Sequence, residues 1–222
     1  MFQTQAIGNI LRNGVAFDLK NWETQELNSD RLVELAQRLF DRLESQQIDY
    51  LLVGGLALLS YVEGRNTQDI DFILSRDDLD RLPELVLSNE NQDFARGQFE
   101  DLQVDLLLTR NPLFQQVQQT YSTQQVFGSQ RVRCVTVEGL LILKLYALPS
   151  LYRQGNFTRA SLYENDIRLL LLNYEVDRAS LLQMLTPHLL ASDLQVLQET
   201  LQDIQTQIIR LKAQQQRLEF KD

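Results

Sequence analysis

The sequence contains very few of the residues that form disulfides and the commonest structural metal sites. Among its 222 residues there is one cysteine, Cys134, and one histidine, His188. A single cysteine excludes an internal disulfide and cannot form a cysteine metal site alone. A single histidine excludes a histidine-cluster zinc site and catalysis by a pair of histidines. These scarcities remove disulfide-framework proteins and proteins with cysteine-only or histidine-cluster zinc sites from consideration.

Long hydrophobic runs are also missing. The longest apolar stretches, such as residues 169–172, are far shorter than the roughly 20 residues that span a bilayer. Residues 1–14 contain no basic region followed by an apolar core, so we predict no secretory signal. The resulting expectation is a cytoplasmic protein with no membrane partner.

Positive charge is in deficit. Lys and Arg number 21 against 30 Asp and Glu, which gives a net charge of −9. Such a balance repels nucleic acid, whose binding normally draws on clustered basic side chains. A local basic groove remains compatible with this balance, so the charge weakens a nucleic-acid hypothesis without excluding it.

Hydrophobic periodicity predicts an α/β half followed by a helical half. The first half is predicted to contain a helix from Ser29, a strand over 48–53, a helix over 56–62, a strand over 68–74, a helix over 77–87, a strand within 99–108 and a hairpin over 124–137. The second half is predicted to contain helices over 138–148, 161–173, 178–185 and 192–218. We therefore expect an N-terminal arm over 1–28, an α/β domain over 29–137 and a helical domain over 138–222.

The last predicted helix carries a heptad pattern. Its apolar residues alternate in three- and four-residue steps, interrupted at Gln215; they are Leu194, Leu197, Leu201, Ile204, Ile208, Leu211 and Leu218. Such a seam favours a long helix that packs on its own domain, and the alternative is a coiled coil in a dimer or with a partner. A homodimer through this helix is therefore one of two open alternatives.

Two aspartates mark the strand over 68–74. Residues two apart on a strand project to the same face, so the carboxylates of Asp69 and Asp71 should lie within reach of one cation. Carboxylates held together repel each other unless they are protonated or bridged by a metal. Oxygen ligation of this kind suits Mg²⁺, which binds through one or two carboxylates together with substrate phosphates.

Two glycines and a third aspartate complete the pattern. Gly54-Gly55 follows a predicted strand and precedes a predicted helix, an arrangement that exposes backbone N–H groups to a phosphate. Asp105 is flanked on both sides by apolar strand residues in QVDLLL. If its strand neighbours that of Asp69 and Asp71, Asp105 could share the metal or accept a proton from an attacking hydroxyl.

This combination resembles the nucleotidyltransferase superfamily that includes DNA polymerase β. Minimal members carry a Gly-Gly or Gly-Ser turn, then an Asp-x-Asp strand, then a later single Asp on an adjacent strand. Residues 65–71, RNTQDID, are also similar to the R-x-T-x-D-x-D pattern of nucleotidyltransferase toxins from bacterial toxin–antitoxin systems. The resemblance to these toxins continues in the segments VEGLLILKLYAL at 137–148 and NDI at 165–167. The resemblance covers roughly residues 30–175 and implies a small mixed β-sheet with flanking helices.

The resemblance also implies residue roles. Asp69 and Asp71 correspond to metal ligands, and Asp105 to the third ligand and general base. Gly54 and Gly55 would hold the phosphates of a nucleoside triphosphate, with Mg²⁺, or Mn²⁺ in its place, as the cofactor.

The resemblance makes Arg65 and Lys144 candidate triphosphate contacts. Two plainer alternatives remain open: a surface ion pair of Arg65 with Glu63 or a nearby aspartate, and a salt bridge of Lys144 with Asp166.

The predicted function is transfer of a nucleoside monophosphate from a nucleoside triphosphate to an acceptor hydroxyl, with release of pyrophosphate. The resemblance implies a tRNA or protein acceptor and, more distantly, a toxin with a cognate antitoxin. One alternative is a catalytically silent binding module that works through its heptad-bearing last helix; three acids in the expected positions argue against it. Another is an antibiotic-modifying nucleotidyltransferase, whose acidic pocket would suit cationic aminoglycosides.

Overall fold

The computed structural model describes residues 29–63, 67 and 69–219. The predicted N-terminal arm and Arg65 lie outside the described residues. What is described falls into two compact units, divided after Leu140.

The first unit is built on a mixed β-sheet. Its elements in chain order are α1 (Ser29–Ser45), β1 (Leu51–Val53), α2 (Gly54–Leu58), β2 (Asp69–Leu74), α3 (Arg76–Leu79), β3 (Leu85–Glu90), β4 (Phe94–Phe99), β5 (Leu102–Leu108), α4 (Pro112–Thr120), β6 (Ser122–Phe127) and β7 (Gln130–Val135). Within the described residues the strand order is β3-β4-β5-β2-β1-β7-β6. The pairs β2–β5 and β1–β7 are parallel and the others are antiparallel. The predicted mixed α/β fold with flanking helices is confirmed.

An aromatic cluster anchors α1 on one face of this sheet. The ring of Phe40 in α1 lies 5.9 Å from that of Phe72 in β2 and 5.1 Å from that of Phe127 in β6, measured between centroids. All three side chains are almost completely buried. Because neighbouring strand residues point to opposite faces, burial of Phe72 under α1 turns Asp71 to the other face. The hydrophobic core thus fixes the side of the sheet on which the acids lie.

The predicted helix over 77–87 is wrong. The chain instead forms the one-turn helix α3 and then the edge strand β3. Leu79, Leu82 and Leu85 are spaced like a helical face, but Pro83 lies between them and disfavours helical backbone at the residue before it. The strand β4 was not predicted at all, because ARGQ gives β4 a polar, glycine-containing interior.

The second unit is helical. It holds most of α5 (Val137–Arg153), then α6 (Phe157–Asn173), α7 (Arg178–Leu185), a 3₁₀ turn (Thr186–His188) and α8 (Ala191–Glu219). The predicted helix over 138–148 continues through Pro149 to Arg153. None of the helices in the described part combines the length and hydropathy that a membrane span requires.

The heptad seam of α8 is partly used within its own unit. The four residues at its centre are buried against α6 and α7; they are Leu197, Leu201, Ile204 and Ile208. Leu211 and Leu218 continue the same stripe but are 44% and 68% exposed. Packing on its own domain therefore accounts for the centre of the seam, and a coiled-coil partner stays a prediction for its C-terminal end.

Candidate active site

The parallel pairing of β2 with β5 brings the three predicted aspartates together. The register places Asp71 opposite Asp105, and Asp69 lies two residues earlier on the same face of β2. In the part of the chain that the structure describes, Asp69, Asp71 and Asp105 form a group whose ligand oxygens lie within 4.8 Å of one another. All three are half-buried. We call this group the acidic triad.

The triad has the composition and spacing that a hard divalent cation requires. Two oxygens on opposite sides of a Mg²⁺ ion lie about 4 Å apart, so small side-chain rotations would bring the carboxylates to coordination distance. The ligands are oxygens only, which suits Mg²⁺ or Mn²⁺ better than softer metals. The residues therefore fit a divalent cation.

The Gly54-Gly55 turn lies directly against the triad. Gly54 has a φ of +66°, and a Cβ atom added there would lie 1.8 Å from Oδ2 of Asp71. The N–H of Gly55 donates a hydrogen bond to the same oxygen at 3.3 Å. A side chain at position 54 would occupy the space of the Asp71 carboxylate, so glycine is required by both φ and contact. The two halves of the sequence pattern thus form one site.

The helix that follows the turn is shorter than predicted. Helix α2 has five residues, against the seven of the predicted 56–62 segment. One turn of helix carries little macrodipole. The predicted phosphate contact therefore depends on close approach to the glycine backbone more than on a helix dipole.

Thr67 orients the first aspartate. Its hydroxyl lies 2.8 Å from Oδ1 of Asp69 and 3.2 Å from the Asp69 carbonyl oxygen, and the residue is 8% exposed. A carboxylate that accepts a hydrogen bond from a buried hydroxyl loses rotational freedom. Thr67 therefore supports the site without belonging to the triad. A Cβ at Gly55 would lie 2.5 Å from the Thr67 hydroxyl, so the second glycine leaves space for this bond.

We predict that Thr67→Val weakens divalent-metal binding by about threefold to tenfold and leaves the fold intact, because valine keeps the shape but removes the hydroxyl. Titration with Mn²⁺ followed by electron paramagnetic resonance measures the effect. Thr67→Ser retains the donor and should bind like the wild type. Equal affinities for the Val and Ser variants would show that the hydroxyl does not order Asp69.

An arginine that sequence reasoning missed completes the site. The β4–β5 register places Arg96 opposite Asp105. Its Nε and Nη2 atoms donate to the two carboxylate oxygens of Asp105 at 2.6 and 2.7 Å. This hydrogen bonding to Asp105, with the negative charges of all three aspartates, raises the pKa of the Arg96 guanidinium. Arg96 can be recognised as part of the site only from the position of β4 beside β5 in the sheet.

Of the other two predicted phosphate contacts, Arg65 lies outside the described residues and Lys144 belongs to the second unit. The Nζ atom of Lys144 forms an ion pair of 2.8 Å with Oδ2 of Asp166 and lies 4.4 Å from the centroid of the Tyr163 ring. The alternative of a salt bridge to Asp166 is therefore realised. A phosphate contact by Lys144 stays a prediction, as does one by Arg65.

No protein-family model matches the sequence, and comparison with curated protein sequences gives no significant match. Solved structures do match. An antigenic nucleotidyltransferase-like protein from Paracoccidioides brasiliensis is 20% identical, with a TM-score of 0.58 over 82% of this chain and 94% of that chain. ANT(2")-Ia, solved in complex with adenylyl-2"-tobramycin, is 14% identical, with a TM-score of 0.49 over 77% of this chain and 97% of that chain. The likeness to the Paracoccidioides brasiliensis protein shows that the chain has the fold of a nucleotidyltransferase-like protein.

Proposed function

We propose that the protein is a Mg²⁺-dependent nucleotidyltransferase. The observation that carries this proposal is the acidic triad, held on two parallel strands with its oxygens within 4.8 Å and with a glycine turn against it. Carboxylates crowded in this way repel unless a cation is present, so the arrangement favours metal-assisted chemistry over a silent surface. The alternative of a silent binding module supplies no electrostatic reason for three acids at one point.

The proposed reaction transfers a nucleoside monophosphate. Asp105 accepts the proton of an acceptor hydroxyl, and the resulting oxygen forms a bond to the α-phosphorus of a nucleoside triphosphate. The bond between the α-phosphorus and its bridging oxygen breaks, and pyrophosphate leaves with the electron pair. Asp69 and Asp71 would hold the divalent cation, with Asp105 as third ligand; when bound, the cation offsets negative charge on the phosphate oxygens.

The proposed phosphate contacts follow from shape and charge. Gly54 and Gly55 present backbone without side chains, so a phosphate could approach the turn closely. Arg65 and Lys144 are proposed to stabilise charge that develops on the leaving pyrophosphate. For Lys144 this requires that its amine contact phosphate while Asp166 still orients it, which the three donors of an ammonium group allow.

Nucleotide binding is the direct test of this proposal. Isothermal titration of each nucleoside triphosphate, with and without Mg²⁺, should show metal-dependent binding to the wild type. Binding should fall by at least about a hundredfold in Asp69→Asn/Asp71→Asn, since both proposed metal ligands lose their charge. Asp77→Asn/Asp80→Asn is the matched control, because it removes two acidic charges from the α3 region and leaves the triad intact. Failure of a folded wild-type protein to bind any nucleotide would favour the silent binding module.

The acceptor is proposed from the sequence resemblance. A tRNA or protein hydroxyl, and a toxin acting with a cognate antitoxin, are the first proposals. The net charge of −9 favours a protein or a cationic small molecule over tRNA. Labelled nucleotide supplied with tRNA, with bacterial lysate protein and with aminoglycosides separates these acceptors by which one becomes labelled. A homodimer through α8 is proposed separately and is tested by the mass of the protein in solution.

A further inference from the structure

The positively charged side chain of Arg96 forms an ion pair with Asp105 of the acidic triad. The side chain of Arg96 is 49% exposed, while that of its partner Asp105 is 14% exposed. Both hydrogen bonds of the pair are short, and they use the two carboxylate oxygens in the fork geometry that arginine favours. The amide of Gln103 adds a longer contact of 3.4 Å to Oδ1 of Asp105. Asp105 is therefore held through both of its carboxylate oxygens.

The position of Arg96 distinguishes it from an ordinary cross-strand ion pair. The sheet register places Arg96 opposite Asp105 and Asp105 opposite Asp71, so the guanidinium lies on the same face of the sheet as the three carboxylates. Its hydrogen bonds to Asp105, together with the negative charges of the three carboxylates, raise its pKa. The three carboxylates together carry three negative charges in a half-buried site, and Arg96 offsets one of them. A divalent cation at the triad would place a second positive group beside this arginine, so the two must influence each other.

We propose that Arg96 is a resident counter-cation of the triad, a positioning residue that orients Asp105 and sets the affinity of the site for divalent metal. This inference rests on the proposed function, because it concerns the same metal site. In the metal-free protein the arginine replaces part of the stabilisation that a metal would give to the crowded carboxylates. When a metal binds, the positive charge of Arg96 lowers the affinity of the site for that metal, and its hydrogen bonds keep Asp105 oriented toward Asp69 and Asp71.

Loss of Arg96 should therefore change two properties of the site, its affinity for metal and the orientation of the Asp105 carboxylate. Removing the positive charge should strengthen metal binding, because the triad becomes more negative. Removing the bidentate hydrogen bonds should also release Asp105, so turnover should fall even though the metal binds more tightly. A purely structural ion pair would change neither quantity in this direction.

The experiment is Mn²⁺ binding to metal-free protein at low ionic strength, with free Mn²⁺ measured by electron paramagnetic resonance. We expect Arg96→Gln to bind Mn²⁺ roughly tenfold more tightly than the wild type. Arg96→Lys keeps the charge and should stay within about twofold of the wild type. Arg76→Gln is the matched control, since Arg76 is 42% exposed and pairs with Asp80 and Glu90 instead of the triad. The control should bind like the wild type.

Thermal unfolding with and without millimolar Mg²⁺ provides the second readout. The stabilisation by Mg²⁺ should be larger for Arg96→Gln than for the wild type, and folding of this variant only in the presence of Mg²⁺ would support the inference equally. Unchanged or weaker Mn²⁺ binding by Arg96→Gln, or failure to fold with and without Mg²⁺, would overturn it. Failure of the proposed metal site itself looks different: the wild type would bind no more Mn²⁺ than Asp69→Asn/Asp71→Asn.

Discussion

Gly54→Ala is expected to destabilise the protein by about 2–5 kcal/mol. Alanine pays roughly 1–2 kcal/mol for the left-handed backbone at φ +66°, and a Cβ atom 1.8 Å from Oδ2 of Asp71 adds an overpacking cost of roughly 1–3 kcal/mol. The clash can be relieved only by moving Asp71, so metal-dependent nucleotide binding should be lost as well. Urea unfolding followed by circular dichroism gives the first quantity, and titration calorimetry gives the second.

Gly155→Ala is the matched control for this prediction. Gly155 has the same φ of +66°, but the nearest atom to an added Cβ is a ring carbon of Phe157 at 4.0 Å, an ordinary contact distance. This variant should therefore show only the backbone cost of roughly 1–2 kcal/mol and should bind nucleotide like the wild type. If the two alanine variants lose equal stability, the contact between Gly54 and Asp71 contributes nothing beyond the backbone conformation.

Asp166→Ala is expected to lose about 3–5 kcal/mol of unfolding free energy. The Lys144–Asp166 pair has side chains that are 7% and 1% exposed, so Asp166→Ala takes away the counter-charge that Asp166 provides to a buried ammonium group. Chemical denaturation measures the loss. Asp101→Ala is the comparison, because it breaks a pair with Arg31 in which the arginine and aspartate side chains are 48% and 65% exposed, and it should leave the unfolding free energy nearly unchanged.

A double variant separates the structural role of the pair from its proposed part in phosphate binding. Lys144→Met/Asp166→Leu removes both charges and should recover most of the lost stability, since buried ion pairs are often replaceable by apolar residues. If Lys144 also contacts the triphosphate, this stable variant should bind nucleotide about tenfold more weakly. Wild-type affinity in the double variant would restrict Lys144 to its structural role.

The acidic strand could be located from the sequence because its pattern is local. Alternation of Asp69 and Asp71 with Ile70 and Phe72 defines one polar and one apolar face, and the structure buries Ile70 and Phe72 almost completely. Strand periodicity therefore carries the information without reference to the rest of the chain. Convergence of Asp105 on the same point needed one further assumption, that its strand neighbours β2, and the parallel register supplies it.

Arg96 could not be found in this way because its significance depends on pairing. The segment ARGQ has no strong strand preference, and nothing local identifies the residue that faces it across the sheet. The erroneous helix over 77–87 has two causes: the leucine spacing imitates a helical face despite Pro83, and the pairing of β3 with β4 is not visible in the local sequence. Which strands pair in a sheet depends on residues far apart in sequence, and local hydrophobic periodicity contains no information about that pairing.

The sheet order also has a consequence for how the chain folds. The strands β2, β4 and β5, which carry the acidic triad and Arg96, follow one another closely in sequence. By contrast, β1 meets β7 through the pairing of Leu52 with Cys134, which closes a long loop containing all of those strands. Contacts between residues far apart in sequence form late, because the chain loses the conformational entropy of the intervening loop before the contacts can stabilise it. During synthesis, the strands β2, β4 and β5 should therefore pair first. The strand β7, which carries Cys134, should complete the sheet last.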